Sequence, residues 1–403
     1  MTSRHPRFHA RAAPRRFAAP AALLLTAAAC AGRDAAGAGV ARTDSAGVQV
    51  VVNRPPPTGR SWRVEAAPRI DISSAAGDGG PQVSGVVGAV RLADGGVVVA
   101  SGGTSTLLRY DADGAPLAGP GWPRLASLDG VGAAGGGGFW AWDGAELRLW
   151  SFDARGRVAG SRRFPGERYE LFPRLEGVLA DGSLLLSSQP GNVFVVSARP
   201  RRDTLTLLRY TFAPPRLYTL RSERGPETFT TGSTTSAVRQ AAPFGRGTFT
   251  AAGGAEWWVG DSERAELRVY DAGGRLRRIV RWPATPAAVR AEDRERVRRD
   301  VVRRARGSLD PAAARELAAR LPFPDTYPVF AALLVDRAGN AWVRDGDPAR
   351  ASHWAVFARD GRWLAAVELP PGLEPLDAGD DYVLGRWTSP RGTEHVRLHR
   401  LRK

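Results

Sequence analysis

From about residue 84 onward the hydrophobic positions fall in short runs, each entered from a turn rich in Gly and Asp. Six such pentamers occur: Val97-Val98-Val99-Ala100-Ser101, Phe139-Trp140-Ala141-Trp142-Asp143, Leu184-Leu185-Leu186-Ser187-Ser188, Trp257-Trp258-Val259-Gly260-Asp261, Ala341-Trp342-Val343-Arg344-Asp345 and Tyr382-Val383-Leu384-Gly385-Arg386. The turns before them are Asp94-Gly95, Gly135 to Gly138, Asp181-Gly182, Gly253-Gly254, Gly339-Asn340 and Gly379-Asp380. An apolar run, a Gly/Asp turn and another apolar run predict a β-hairpin. A second strand follows each pentamer. Leu107-Leu108-Arg109-Tyr110 returns as Leu207-Leu208-Arg209-Tyr210, and Glu146-Leu147-Arg148-Leu149-Trp150 as Glu266-Leu267-Arg268-Val269-Tyr270. Leu and aromatic residues alternate there with Glu and Arg, the pattern of a half-buried strand.

The pentamers start 42, 45, 73, 84 and 41 residues apart. The short intervals give the period, and the long ones are the period plus an insertion. A four-stranded repeat of about 40–45 residues is the length of a propeller blade. The pattern predicts an all-β chain, a six-bladed β-propeller with blade cores at about 84–118, 126–164, 172–213, 243–282, 328–369 and 373–402. The last copy ends after its third strand, so the strand-like segments Val48 to Val52 and Trp62 to Ile72 are expected to complete it and close the ring.

The stretches Val98-Val99-Ala100-Ser101 through Asp113-Gly114, and Trp258-Val259-Gly260-Asp261 through Gly273-Gly274, resemble NHL-type propeller repeats. Asp44-Ser45-Ala46-Gly47-Val48 and Glu394-His395-Val396-Arg397 also resemble segments of a family of uncharacterised, exported bacterial six-bladed propeller (lipo)proteins. The resemblance spans about residues 44–403 and implies a propeller domain in the cell envelope.

Two insertions interrupt the period. Residues 213–243, rich in Thr and Pro, read as a loop. Residues 285–321 read as one helical insertion, with Thr285-Pro286 and Asp310-Pro311 as helix starts. Val289, Val297, Val301 and Ala305 form an apolar stripe, and Arg290, Arg294, Arg298, Arg299, Arg303, Arg304 and Arg306 a basic side. With Glu292, Asp293, Glu295 and Asp300 interleaved, a solvated insertion packed on the propeller is favoured over a lid or docking helix for an acidic partner or an anionic lipid surface.

The N-terminus changes the picture of compartment. Residues 1–16 carry five arginines and no acid, and an apolar run from Phe17 to Ala29 follows, too short to span a bilayer. This is the form of a signal peptide over 1–29. Ala27-Ala28-Ala29-Cys30 resembles a lipobox, although Ala27 stands where Leu is usual. Cys30 is the chain's one cysteine, which excludes an intramolecular disulfide and marks it for lipidation. The alternatives are ordinary secretion with Cys30 a bystander, or an uncleaved anchor. Residues 30–47 read as a flexible tether. The expected location is the outer membrane or periplasm.

The 403 residues hold 57 Lys+Arg against 41 Asp+Glu, a formal charge of +16. Lys403 is the only lysine, so the excess is arginine spread along the chain, and losing the five N-terminal arginines leaves +11. With export, this argues for no nucleic-acid partner.

Candidate chemistry is sparse. Gly130-Val131-Gly132-Ala133-Ala134-Gly135 matches a dinucleotide fingerprint but is followed by a β-type run, so it reads as a hairpin turn. His395 and His399, four apart on a strand, lie about 13 Å from each other, too far to share a metal ion. Asp143, Asp261 and Asp345 share one register and are expected to cap turns, with a ring of carboxylates on one propeller face as the alternative. Asp111-Ala112-Asp113-Gly114 resembles only a fragment of a calcium loop. No catalytic residue, cofactor or metal site is assigned. The expected function is a monomeric binding module for a protein, small-molecule or glycan ligand, held to the membrane through Cys30. The rival is a lactonase-, lyase- or hydrolase-type enzyme acting at the central channel.

Overall fold

Each pentamer is the second strand of its group, with a hydrogen-bonded neighbour on either edge and a packed layer on both faces. That is why the first three positions of every run are apolar instead of alternating. Val97–Ser101 is buried at every position. The computed structural model describes residues 39–56, 61–73, 83–119, 121–169, 171, 173–189, 197–231, 238–305 and 310–403. All of them fall in the compact unit Ala36–Lys403. The signal-peptide segment, Cys30 and the first part of the tether lie outside the described residues.

Among the described residues the chain is nearly all β, with several mainly antiparallel sheets and two α-helices. Strands hydrogen-bond in sequence order. Group one runs Val86–Arg91, Val97–Ser101, Thr106–Tyr110, Pro116–Leu117, and group two Leu128–Ala133, Phe139–Asp143, Arg148–Phe152, Val158–Arg163. Group three holds Arg174–Val178, Leu184–Ser188, Arg201–Phe212, Pro215–Thr231 and Val238–Ala241. Group four is Thr248–Gly253, Glu256–Asp261, Glu266–Asp271, Leu276–Arg281, and group five Phe330–Val335, Ala341–Asp345, His353–Phe357, Trp363–Glu368. Group six is Glu374–Ala378, Tyr382–Thr388 and Glu394–Arg402, with Ile70–Ser73 added.

The core is layered between these groups. Leu92, Val98, Phe139 and Phe152 fill the space between groups one and two. Further layers separate two from three, three from four, four from five and five from six. Another, with Val97, Val99, Leu384, Val396 and Ile72, joins group six to group one. Turns close the outer hairpins as anticipated: Gly114 and Gly361, both at φ +87°, take a left-handed conformation that a Cβ would strain.

Four expectations need correction. Residues 213–243 are not a loop, because Pro215–Thr231 is a long strand paired with Arg201–Phe212. Its Thr residues are β-branched and suit a strand, and Gly225-Pro226 falls at a register shift where no ladder N–H is required. The tether ends early, because Val40–Ser45 forms a hairpin with Val48–Asn53 through the Ala46-Gly47 turn. The N-terminal segment does not go to the last group alone. Val48–Asn53 lies parallel on Leu276–Arg281, Ser61–Val64 lies parallel on Trp363–Glu368 and also meets the end of Glu394–Arg402 at Val64–Leu401 and Arg63–Arg402, and Ile70–Ser73 pairs with the same strand over His395–Leu398. Each apolar segment pairs at the outer side of a different group, four, five or six. Finally, helix α1 is Ala291–Arg304, starting well after Thr285. Residues 287–289 instead exchange backbone hydrogen bonds with the returning chain, Val289 N to Asp325 O (2.8 Å) and Tyr327 N to Ala287 O (2.9 Å). Helix α2, Pro311–Ala319, begins at Asp310-Pro311 as read, with the Asp310 carboxylate accepting from Ala312 N and Ala313 N.

Candidate functional site

The ends of the pentamers show what their aspartates do. Asp143 is buried and accepts from the backbone N–H groups of Ala126 (2.7 Å), Ser127 and Glu146 (both 3.1 Å). Asp261 accepts from Glu263 N and pairs with Arg202, and Asp345 accepts from Asp347 N. These carboxylates are caps and anchors, as the register suggested. His395 lies against Asp71 at 2.7 Å, whereas His399 is buried with Nδ1 2.8 Å from Glu65 O. Among the described residues no group of three or more His, Cys, Asp or Glu side chains could hold a metal ion.

The G-x-G-x-x-G run is a hairpin. Leu128–Ala133 is the strand, and Gly132 stands directly opposite Trp140. A Cβ at Gly132 would run into the Trp140 indole, so the glycine makes room for an aromatic ring and not for a phosphate.

A cavity of about 460 Å³ opens between groups four and five. Trp282, just past Leu276–Arg281, and Trp363, at the head of the outer strand of group five, are half-buried and both line it. They are fixed by shared packing on Phe357, at 5.0 and 5.5 Å between ring centroids. Asp345, Arg350 and His353 supply polar groups, with Asp345 and Arg350 paired at 3.2 Å. His353 Nδ1 is 3.4 Å from Ser352 Oγ. His353 and Ala366 also line a second cavity of about 550 Å³ containing Trp62 and Glu368. Apolar aromatic surface beside a few polar groups is the make-up of a small-molecule site.

The chain segments that roof the first cavity, 283–287 and Pro328-Val329, lead into and out of the insertion. Arg290 holds that base in place. Its guanidinium grips both oxygens of Asp347 (2.6 and 3.0 Å) and also reaches Asp293, whose carboxylate takes the Tyr327 hydroxyl. The hydrogen bonds from Arg290 hold the Asp347 carboxyl below its usual range. For Asp293, burial opposes ionisation, but the bonds from Tyr327 and Arg290 outweigh it and the net shift is downward. The insertion then packs through Val297 and Val301 on Phe229 of the long strand Pro215–Thr231 and on Ala242, just past Val238–Ala241.

Pattern reading missed two features. The first strands of groups one, two, three, five and six each carry a register shift, and the residues skipped there are Val87, Asp129, Glu176, Ala331 and Leu376. A β-bulge re-aims one side chain and has no signature in hydrophobic alternation. Burial pushes the Glu176 carboxyl up, against Arg174 at 3.8 Å and the Ser187 hydroxyl at 2.6 Å. The second is Asp377, which accepts from Arg91 N (3.0 Å), Tyr382 OH (2.9 Å) and Arg337 Nη2 (2.7 Å), tying group six to groups one and five. Burial, and then Asp377, push the Tyr382 hydroxyl far above its ordinary range.

No protein-family model and no curated protein matches the chain. Its backbone is similar to those of several solved structures. A Bacteroides fragilis protein described as exported is 10% identical over 88% of this chain and 100% of its own, with a TM-score of 0.45. A DUF4221-family member from Bacteroides vulgatus is 9% identical over 85% and 99%, with a TM-score of 0.48. Virginiamycin B lyase from Staphylococcus aureus is 11% identical over 83% and 88%, with a TM-score of 0.38.

Proposed function

We propose that residues 48–403 form a closed six-bladed β-propeller of NHL type, exported and lipid-anchored through Cys30. In this reading it serves as a binding module of the cell envelope that takes a small-molecule or glycan ligand between groups four and five. Six strand groups in sequence order, with an apolar layer between the last and the first, support the closed ring. The observation that carries the binding role is the pair of half-buried tryptophans, Trp282 and Trp363, lining a cavity whose polar residues include His353 and the Asp345–Arg350 pair. Indole faces can take the C–H surface of a sugar ring while polar neighbours meet its hydroxyls. Lipid attachment is read by mass spectrometry of the mature N-terminus, where an unmodified Cys30 or cleavage elsewhere would refute it.

The binding test is a titration of the full chain with neutral and acidic oligosaccharides, followed by tryptophan fluorescence and thermal melting. At least one is expected to bind and to lose about tenfold in affinity, the scale of one buried aromatic contact, in Trp282→Ala. Binding that survives both Trp282→Ala and Trp363→Ala would remove the site from this cavity.

One observation favours an enzyme instead. A carboxyl raised by burial, Glu176 on a first strand, is suited to general-acid work. Turnover of lactone or glycan substrates abolished by Glu176→Gln would establish that reading.

A further inference from the structure

Helices α1 and α2 enclose a groove of about 600 Å³ whose floor is apolar and whose rim is basic. Val302, Ala318 and Ala319 form the floor. Arg298, Arg299, Arg303 and Arg315 stand around it, with Glu295 as the one acid. Arg298 is paired with Glu295, and Arg303 with Asp300 at 2.8 Å. Among the described residues Arg299 and Arg315 have no carboxylate within ion-pairing distance, although α1 and α2 carry acids that pair with Arg290, Arg296 and Arg320. The groove therefore combines unshared guanidinium groups, which fit phosphate oxygens in a bidentate fork, with a strip of surface that prefers an alkyl chain.

We propose that this groove binds an anionic phospholipid, its phosphate held by Arg299 and Arg315 and the start of an acyl chain lying on Val302 and Ala319. The choice of occupant follows from charge and shape together. A free phosphate would leave the apolar floor uncovered, and a neutral lipid would leave the two arginines unmatched. Arg296, Arg303 and Arg304 are exposed on α1, so the same helix offers further positive charge to an anionic lipid surface. The site is separate from the tryptophan-lined cavity, and its success or failure leaves the binding role proposed above untouched.

The test uses the full chain and soluble short-chain lipids: dihexanoyl phosphatidylglycerol, dihexanoyl phosphatidylcholine and, as a free anionic amphiphile, decanoate. Calorimetry is expected to show phosphatidylglycerol binding about tenfold or more tighter than phosphatidylcholine, with affinity falling as salt is raised. In Arg299→Gln/Arg315→Gln the preference should shrink to about two-fold or less while the melting curve is unchanged, since both side chains are exposed. Val302→Asp, which puts a carboxylate into the floor, should abolish binding of either lipid. Equal affinity for the two lipids, or a preference that survives the double substitution, would overturn the site. Tighter binding of decanoate than of phosphatidylglycerol would overturn its assignment to a phospholipid.

Discussion

The Asn53 carboxamide accepts a hydrogen bond from Trp363 N at 2.8 Å and, through its NH₂, donates to Gly361 O at 2.9 Å and Arg281 O at 3.2 Å. One buried side chain of the N-terminal segment thus joins the outer strand of group four to the last turn and outer strand of group five. Asn53 ends a strand that lies between Val40–Ser45 and Leu276–Arg281, so the same amide ties that sheet to the neighbouring one. Asn53→Ala should therefore destabilise the fold by about 1–3 kcal/mol, the cost of leaving buried backbone groups unpaired. The urea midpoint measures it, and a midpoint equal to that of the wild type would show that water replaces the amide.

Gly130 and Gly132 separate a structural role from a phosphate-binding one. Gly132→Ala should cost about 1–3 kcal/mol, because the new methyl displaces the Trp140 ring. Gly130→Ala, where the nearest ring atom of Trp140 would be 3.8 Å away, should change stability by less than about 1 kcal/mol. Equal effects at the two positions would contradict the packing explanation.

Asp347 anchors the base of the insertion, so Asp347→Asn should loosen α1 without unfolding the sheets. Limited trypsin digestion is the readout, because α1 is dense in arginine. Cleavage within 294–304 should accelerate several-fold while the thermal midpoint of the main transition moves little. Unchanged cleavage would mean that the Val297 and Val301 packing holds the helix alone.

A half-buried carboxyl and a buried imidazole give opposite pH trends. Glu176 has a raised pKa, so the folded state keeps its proton longer than the unfolded state. Stability is then lost as pH rises above the ordinary glutamate value of 4.5. Glu176→Gln, which stays neutral, should gain stability at pH 7 relative to wild type and little at pH 4. His399 has a lowered pKa through burial, the Glu65 carbonyl opposing, so stability is lost as pH falls through 6.5. His399→Gln should flatten that acid limb. Melting curves from pH 4 to 8 check both, and a Glu176→Gln variant melting below wild type at pH 7 would reverse the assignment for Glu176.

Much of this architecture could be read locally, because repeated hairpins carry their own signals. A run buried on both faces reads as uninterrupted apolar residues. A left-handed turn calls for Gly, as at Gly114 and Gly361, and Asp310 before Pro311 announces a helix whatever the rest of the chain does. The same holds for Gly130 to Gly135, where the following Phe-Trp-Ala-Trp strand excluded a dinucleotide site. What depended on assembly was which edge accepts which segment. Nothing near Val48, Trp62 or Ile70 distinguishes the outer strands of groups four, five and six, and only packing assigns one to each. The cap expected at Thr285 lost to a non-local backbone pairing, and the Thr-rich stretch became a strand because a long partner lay beside it. The cavity between Trp282 and Trp363, and the unshared Arg299 and Arg315, are products of side chains brought together from separate elements. Their chemistry is invisible in any window of the chain short enough to show a pattern.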